Sequence, residues 1–233
     1  MKDKCSQAVA LIKFFSKRDH YLSFRKGINL FRTPHYYRFD ETVGRGDRSE
    51  SCVGYWDRKL GDELPNIINN GSKVNLDGAQ SILLYPATEQ KDAWLQSWSV
   101  IGPHNNFENS LEQMLKEFGP YFVVLPASKI NAYRHLLAKT SGCKVHMGLV
   151  GYSDNPLKRS LVVKDSKFSY QKEFRFLLSE CSKGEMRDKK VQVQGINKLL
   201  LKASSLKLAS LSGEVKYCSL GSHKVVTVPP EHE

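Results

Sequence analysis

KFSYQKEFRFLL, residues 167–178, alternates with the period of an extended strand: Phe174, Phe176 and Leu178 fall on one side of the ribbon, and Gln171, Glu173 and Arg175 on the other. An apolar side of this kind needs a core beneath it, so the stretch belongs to a sheet with one packed face. The polar side has two readings. It is either a solvated face, or the wall of a cleft where Glu173, set between Gln171 and Arg175, accepts a hydrogen bond from a sugar hydroxyl or serves as a base. Gln171, Glu173 and Arg175 are therefore the candidate catalytic residues.

Working outward, strand-like runs recur at 8–15 (AVALIKFF), 28–32, 81–87, 93–100, 121–127, 145–152, 160–164, 191–194 and 214–220. Two helical stripes are set among them. One carries Leu111, Met114, Leu115 and Phe118 and ends at Gly119; the other follows Ser128 as a cap, carries Ile130, Tyr133, Leu136 and Leu137, and stops near Gly142. A turn or helix runs through Tyr21, Leu22 and Phe24, and 196–211 is open between helix and strand. Residues 33–71 show no period and read as a long irregular segment, expected to cover the sheet face bearing Glu173. With no repeat and no linker, the expected fold is α+β: one domain over 1–233, built on a mixed, twisted sheet with a few helices.

Three further segments carry chemistry. In TVGRGDRSES (42–51), Gly44 and Gly46 flank Arg45 and precede Asp47 and Glu50. Glycines there allow positive φ and close approach, so consecutive N–H groups are placed to form an anion nest beside Arg45, or else the stretch is a plain turn with solvated charges. In TPHYYRF (33–39), His35, Tyr36 and Tyr37 adjoin Arg38 and Phe39; such a cluster stacks on a base or nicotinamide ring, or anchors a loop to the core. In QSWSV (96–100), Ser97 and Ser99 share one strand face. No Ser-His-Asp order, HExxH or Walker loop is present, and the histidines are dispersed, so no metal site is predicted.

Composition bounds the function classes. With 40% hydrophobic and 25% charged residues the chain reads as globular, and its longest apolar runs are too short for a membrane helix, so a cytoplasmic, non-membrane protein is expected. Five scattered cysteines without a CxxC pair argue against a disulfide framework. A net charge of +11 favours a polyanionic partner, either nucleic acid or a nucleotide.

Read in order, GINLFRTPHYYRF, GRGDRSES, LQSWSV, GPYFVVLPASKI, GLVGYSD and KDSKFSYQKEFRF resemble a broad uncharacterised bacterial family of mobile elements and defence loci, over about 8–178. The most specific part is K-x-x-x-F-x-x-x-x-E-x-R, here Lys164, Phe168, Glu173 and Arg175, with the acidic loop of Asp47 and Glu50. A Met-Trp pair usual after the serine strand is replaced here by IGPHNNFENS. The resemblance implies antiphage or mobile-element biology and brings no settled activity. The order Lys13, Ser97 and Ser99, then Gln171 and Glu173, is also similar to the triad of ADP-ribosyltransferases. That resemblance implies that Lys13 holds NAD, the serine strand braces the site, and Glu173 contacts the nicotinamide ribose and stabilises an oxocarbenium-like transition state. Lys stands here for the usual Arg or His, which loses planar phosphate recognition, and SWS stands for S-T-S. The expected function is a transferase-like effector that uses a nucleotide, NAD being the candidate, to modify a macromolecule. The alternatives are a noncatalytic nucleic-acid-binding or inhibitor protein, and a nuclease holding a divalent ion with Asp47, Glu50 and Glu173.

Overall fold

In the computed structural model, residues 8–89, 91–102, 107–201, 206–209, 216–220 and 225–227 are described. The chain runs β1 (Ala10–Phe15), α1 (Arg18–Arg25), β2 (Ile28–Phe31), α2 (Pro34–Phe39), β3 (Gly54–Asp57), β4 (Ile68–Asn69), β5 (Ser72–Lys73) and β6 (Ser81–Leu84). It continues through β7 (Asp92–Ile101), α3 (Phe107–Phe118), β8 (Tyr121–Pro126), α4 (Ile130–Ser141), β9 (Val145–Leu149), β10 (Gly151–Tyr152) and β11 (Val163–Lys164). After these come β12 (Glu173–Cys181), β13 (Lys189–Gln192), β14 (Leu206–Ala209), β15 (Lys216–Leu220) and β16 (Val225–Thr227).

The fold is α+β, and its centre is a five-stranded sheet in the order β8-β1-β7-β12-β9. Every pairing in that sheet is antiparallel, where a mixed sheet was expected; among the described residues, parallel pairing is confined to β10 with β11 and β14 with β16. Both faces are packed. On one, Trp98, Phe174, Phe176 and Leu178 meet Phe24 of α1 and Ile130, Tyr133 and Leu137 of α4. On the other, Ala10, Ile12, Phe122 and Val124 meet Phe107, Leu111 and Met114 of α3. The alternation read from β12 is thus the alternation that fills the first core, with Phe174, Phe176 and Leu178 at most 1% exposed. The same face buries a polar link: Trp98 Nε1 donates to Gln96 Oε1 at 3.0 Å, and Tyr133 O–H lies 2.7 Å from both Gln96 Oε1 and Asn29 Oδ1.

One irregularity positions the site. β1 pairs with β7 only from Ala10 to Ile12, against Ile101 to Ser99, although it stays paired with β8 as far as Phe15. Beyond Ile12 the two strands part. The edge of β7 so released is met at Leu95 by Arg32, whose N–H and C=O make two antiparallel hydrogen bonds of 3.0 and 2.7 Å.

The segment 33–71 is more regular than its composition suggested. Thr33 accepts the Tyr36 N–H on its side chain and Pro34 occupies the first turn, which starts α2 within the segment expected to be irregular. β3 pairs with β6, and β4 with β5 across Asn70 and Gly71, both at positive φ. Ser128 lies within a 3-10 turn, Ala127–Lys129, and does not cap α4. In 196–211, a 3-10 turn (Ile196–Lys198) precedes β14.

Candidate functional site

Register brings the polar sides of two strands together. Glu173 stands opposite Ser99 and Arg175 opposite Ser97, while Ile12 of β1 stands opposite Ser99 from the other side. Cross-strand partners share a face, so Ser97, Ser99, Glu173 and Arg175 form one polar patch. It is no solvated surface: Glu173 is 4% exposed and Arg175 1%.

Such burial demands compensation, and an ion cluster provides it. Arg175 donates from Nε to Glu173 Oε1 at 2.7 Å, from Nη1 to Glu50 Oε1 at 2.7 Å and to the Leu161 carbonyl at 2.6 Å, and from Nη2 to Glu50 Oε2 at 2.9 Å. Lys164 lies 3.3 Å from Glu173 Oε2 and 3.7 Å from Glu50 Oε2, and donates to Gln171 Oε1 at 3.1 Å. Ser97 adds a short hydrogen bond to Glu173 Oε1. Two carboxylates are thereby matched by two cations. Burial alone would raise the Glu173 carboxyl, but the charges of Arg175 and Lys164 and the bonds from Arg175 and Ser97 prevail and draw it down to about 2. Glu173 is therefore ionised at neutral pH. Its Oε1 accepts twice, whereas Oε2 is buried and accepts no hydrogen bond among the described residues.

The segment before Glu50 roofs this patch. Gln171 Nε2 donates to the Gly44 carbonyl at 2.6 Å, which fixes the roof to the residues leading into β12. Gly44 takes φ +76°, and a Cβ on Gly46 would sit 1.6 Å from the Asp40 carbonyl oxygen, so both glycines are required by the turn. The expected anion nest is absent: the N–H groups of Arg45 and Gly46 both donate to the Thr42 carbonyl, and that of Asp47 to Tyr37. The Arg45 guanidinium is likewise engaged, by Asp40 and Thr42.

Under the roof lies a cavity of about 150 Å³, bordered by Lys13, Tyr37, Arg45, Ser97, Lys164 and Glu173 among others. Ser99, Glu50, Gln171 and Arg175 also reach it. Lys13 extends through the fork to donate to the Ser97 carbonyl at 2.8 Å, and burial, against the attraction of Glu173, lowers its amine to about 8. Burial also raises the Tyr37 hydroxyl.

Three expected residues stand elsewhere. His35 packs edge-on against Phe39 and Tyr55, Tyr36 lies under the Arg32 guanidinium, and neither borders the cavity. Asp47 is buried outside the lining, with Oδ1 accepting the Ser49 N–H at 3.0 Å, and burial followed by the charge of Glu50 raises its carboxyl.

A second ion cluster had no signal in the sequence. Asp92 Oδ2 accepts from Arg38 Nη2 at 3.1 Å, and Oδ1 accepts from Lys183 at 3.0 Å and Ser51 Oγ at 2.7 Å. Arg38 also donates to the carbonyls of Glu50 and Lys183. The side chains of Arg38 and Asp92 are fully buried.

Among the described residues, no group of three or more His, Cys, Asp and Glu is placed to hold a metal ion. No helix of the described residues is long and apolar enough to cross a membrane. No family model, curated protein or solved structure matches the chain.

Proposed function

We propose that the cavity receives the ribosyl end of a nucleotide, NAD being the first candidate, and that Glu173 steadies positive charge on the sugar while that group is transferred to a macromolecule. The observation that carries this reading is Glu173 Oε2: a buried carboxylate oxygen of a residue lining the cavity, ion-paired to Lys164 at 3.3 Å but accepting no hydrogen bond among the described residues, on a side chain whose other oxygen is held twice. A carboxyl at about 2 is a poor proton acceptor at neutral pH. It is well suited to accept from a ribose hydroxyl and to stabilise an oxocarbenium-like centre, which requires fixed negative charge in a water-poor site. In the transfer, the glycosidic C–N bond breaks and nicotinamide leaves with the electron pair. The target nucleophile bonds to the anomeric carbon and loses its proton to solvent. Arg175 and Gln171 then act as positioning residues, since their donors are spent on Glu173, Glu50, Leu161 and Gly44.

The cavity has the volume of a single small ring, so it suits nicotinamide and not a whole dinucleotide with the roof closed. The resemblance to proteins of mobile elements and defence loci makes antiphage action the natural setting. A divalent-metal nuclease receives less support, because the oxygens of Glu50 are both engaged by Arg175.

Mass spectrometry of protein and nucleic acid after incubation with NAD tests the reading. A mass gain of an ADP-ribosyl group, lost in Glu173→Gln, is the expected result. Salt-dependent nucleic-acid binding with NAD and nucleic acid chemically unchanged would instead make this a binding protein, for which the charge of +11 suffices.

A further inference from the structure

We infer that the helical face of the molecule, formed by α1, the β2–β13 ladder and α4, binds the phosphate backbone of nucleic acid. The inference goes beyond the ribosyl reading and stands without it, because strand parity puts this face on the side of the sheet away from Glu173. The layer is continuous. Gln192 Nε2 donates to the Lys26 carbonyl at 2.9 Å and Arg25 Nε to Asn197 Oδ1 at 3.1 Å, which ties α1 to β13 and to the 3-10 turn beyond it. Tyr133 of α4 reaches Asn29 of β2, its O–H 2.7 Å from Oδ1. Beneath, Phe24, Ile130, Leu137, Val191 and Ile196 share one core. With Asn29, Phe31 and Val191 buried, the register of the ladder leaves Lys190 beside Leu30 and Gln192 beside Ile28 on its outer side.

Charge is sorted between the two sides of the sheet. Residues 20–39, 118–153 and 189–201, from which this layer is drawn, contain no Asp or Glu; the acid in α1 is Asp19, in its first turn. The two twelve-residue helices show the sorting most plainly. On this face α4 carries Arg134, His135 and Lys139 and no acid, whereas on the other face α3 sets Glu108, Glu112 and Glu117 against Lys116. Nor are the cations matched one by one. Arg25, Lys26, Arg134, Lys139, Lys190 and Lys198 form no ion pair among the described residues. Elsewhere the exposed Arg48 and Arg187 are each matched, by Asp62 and Glu185. Arg25 is held instead by neutral partners, Asn197 and the Tyr21 hydroxyl, and Arg134 Nε is buried with no hydrogen-bond partner. Unmatched cations gathered on one face draw in a polyanion, which releases its counterions on binding.

An anionic membrane offers the same charge, but faces that bind membranes carry apolar anchors. Among the described residues Ile28 is the one large exposed hydrophobic of this layer. Asn131, Gln192 and Asn197 stand exposed among the cations instead, as suits hydrogen bonds to phosphate and sugar oxygens.

The test is fluorescence anisotropy with labelled single-stranded and duplex oligonucleotides over a salt series, on wild type, Glu173→Gln and two triple variants that remove equal charge. Lys26→Gln with Lys139→Gln and Lys198→Gln lies on the face; Lys59→Gln with Lys116→Gln and Lys158→Gln lies off it, and all six lysines are exposed. Melting temperatures near wild type are expected for both. The face variant should bind the oligonucleotides about tenfold or more weakly and lose about two from the slope of log affinity against log salt, while the other variant and Glu173→Gln stay near wild type. Equal loss in the two triple variants leaves only net charge and overturns the face, as does a face variant that binds like wild type. Tighter binding to vesicles containing phosphatidylserine than to either oligonucleotide overturns the assignment to nucleic acid. NAD-dependent transfer by a wild type that binds no oligonucleotide sinks this inference and leaves the ribosyl reading; face-dependent binding without NAD turnover does the reverse.

Discussion

Two buried ion clusters meet at adjacent residues: Glu50 enters one through Arg175, and Ser51 enters the other through Asp92 and Lys183. The first joins two acids, and the second one, to an arginine and a lysine brought from distant parts of the chain. They differ at their boundary. In the Arg38–Asp92–Lys183 cluster both carboxylate oxygens accept hydrogen bonds, and none of the three residues lines the cavity beside Glu173. In the Glu173–Arg175–Glu50–Lys164 cluster one carboxylate oxygen, Glu173 Oε2, is ion-paired to Lys164 at 3.3 Å but accepts no hydrogen bond among the described residues, and Glu173 lines a cavity. Buried charge alone does not separate the two clusters; the incomplete hydrogen bonding of Glu173 does, and the proposed function rests on it.

Four substitutions or titrations should separate the two clusters. The largest stability effect is expected from Asp92→Ala, which strands Arg38 and Lys183 as buried cations. A loss on the order of 3–5 kcal/mol should lower the melting temperature by roughly 10 °C or more, measured by calorimetry. Glu173→Gln should act in the opposite proportion. Glutamine still accepts from Ser97 and Arg175, so the melting temperature falls less than in Asp92→Ala, while NAD-dependent transfer drops by about 10²- to 10³-fold. Normal activity would remove Glu173 from the site, and outright unfolding would make the two clusters alike.

Acid unfolding gives the next effect. The Glu173 carboxyl lies at about 2 in the folded chain against 4.5 for a free glutamate, so its stabilising contribution is complete above pH 4.5 and is lost as the pH falls toward 2. Stability measured across that window should decline less steeply in Glu173→Gln than in wild type. The smallest effect concerns Lys13. Its amine at about 8 lies below the free value of 10.5, so the folded chain releases that proton first and the Lys13 contribution to stability rises with pH between those values. Lys13→Met should lose that rise and show a melting temperature at neutral pH no lower than wild type.

Strand parity made half of the site legible. Once β12 was read as extended, Phe174 and Phe176 had to face a core, and Glu173 and Arg175 had to face away from it. Parity names a face but not what lies across it. That Arg175 meets Glu50, 125 positions away, depends on how residues 40–50 fold back over the sheet. The run 33–39 shows no period in the sequence, yet it holds a helix. As the helix α2, successive residues turn by about 100°, so neighbours in sequence point apart: Tyr36 to Arg32, Tyr37 to the cavity, Arg38 to Asp92. Thr33-Pro34 was the available signal for that helix. Asp92 and Lys183 look like ordinary surface charges at the ends of strands, and nothing local distinguishes them. Lys164 entered only through a family signature, because two-residue β11 is too short to show a period.

The roof over the cavity also has a kinetic consequence. With Gly44 bonded to Gln171 and Arg45 to Asp40, the space beneath the segment 42–46 holds one small ring, so the proposed nucleotide is expected to seat fully only after these bonds part. Association then proceeds in two steps. Its observed rate climbs with ligand concentration and levels off at the opening rate of the segment 42–46, a plateau that Gln171→Ala should raise.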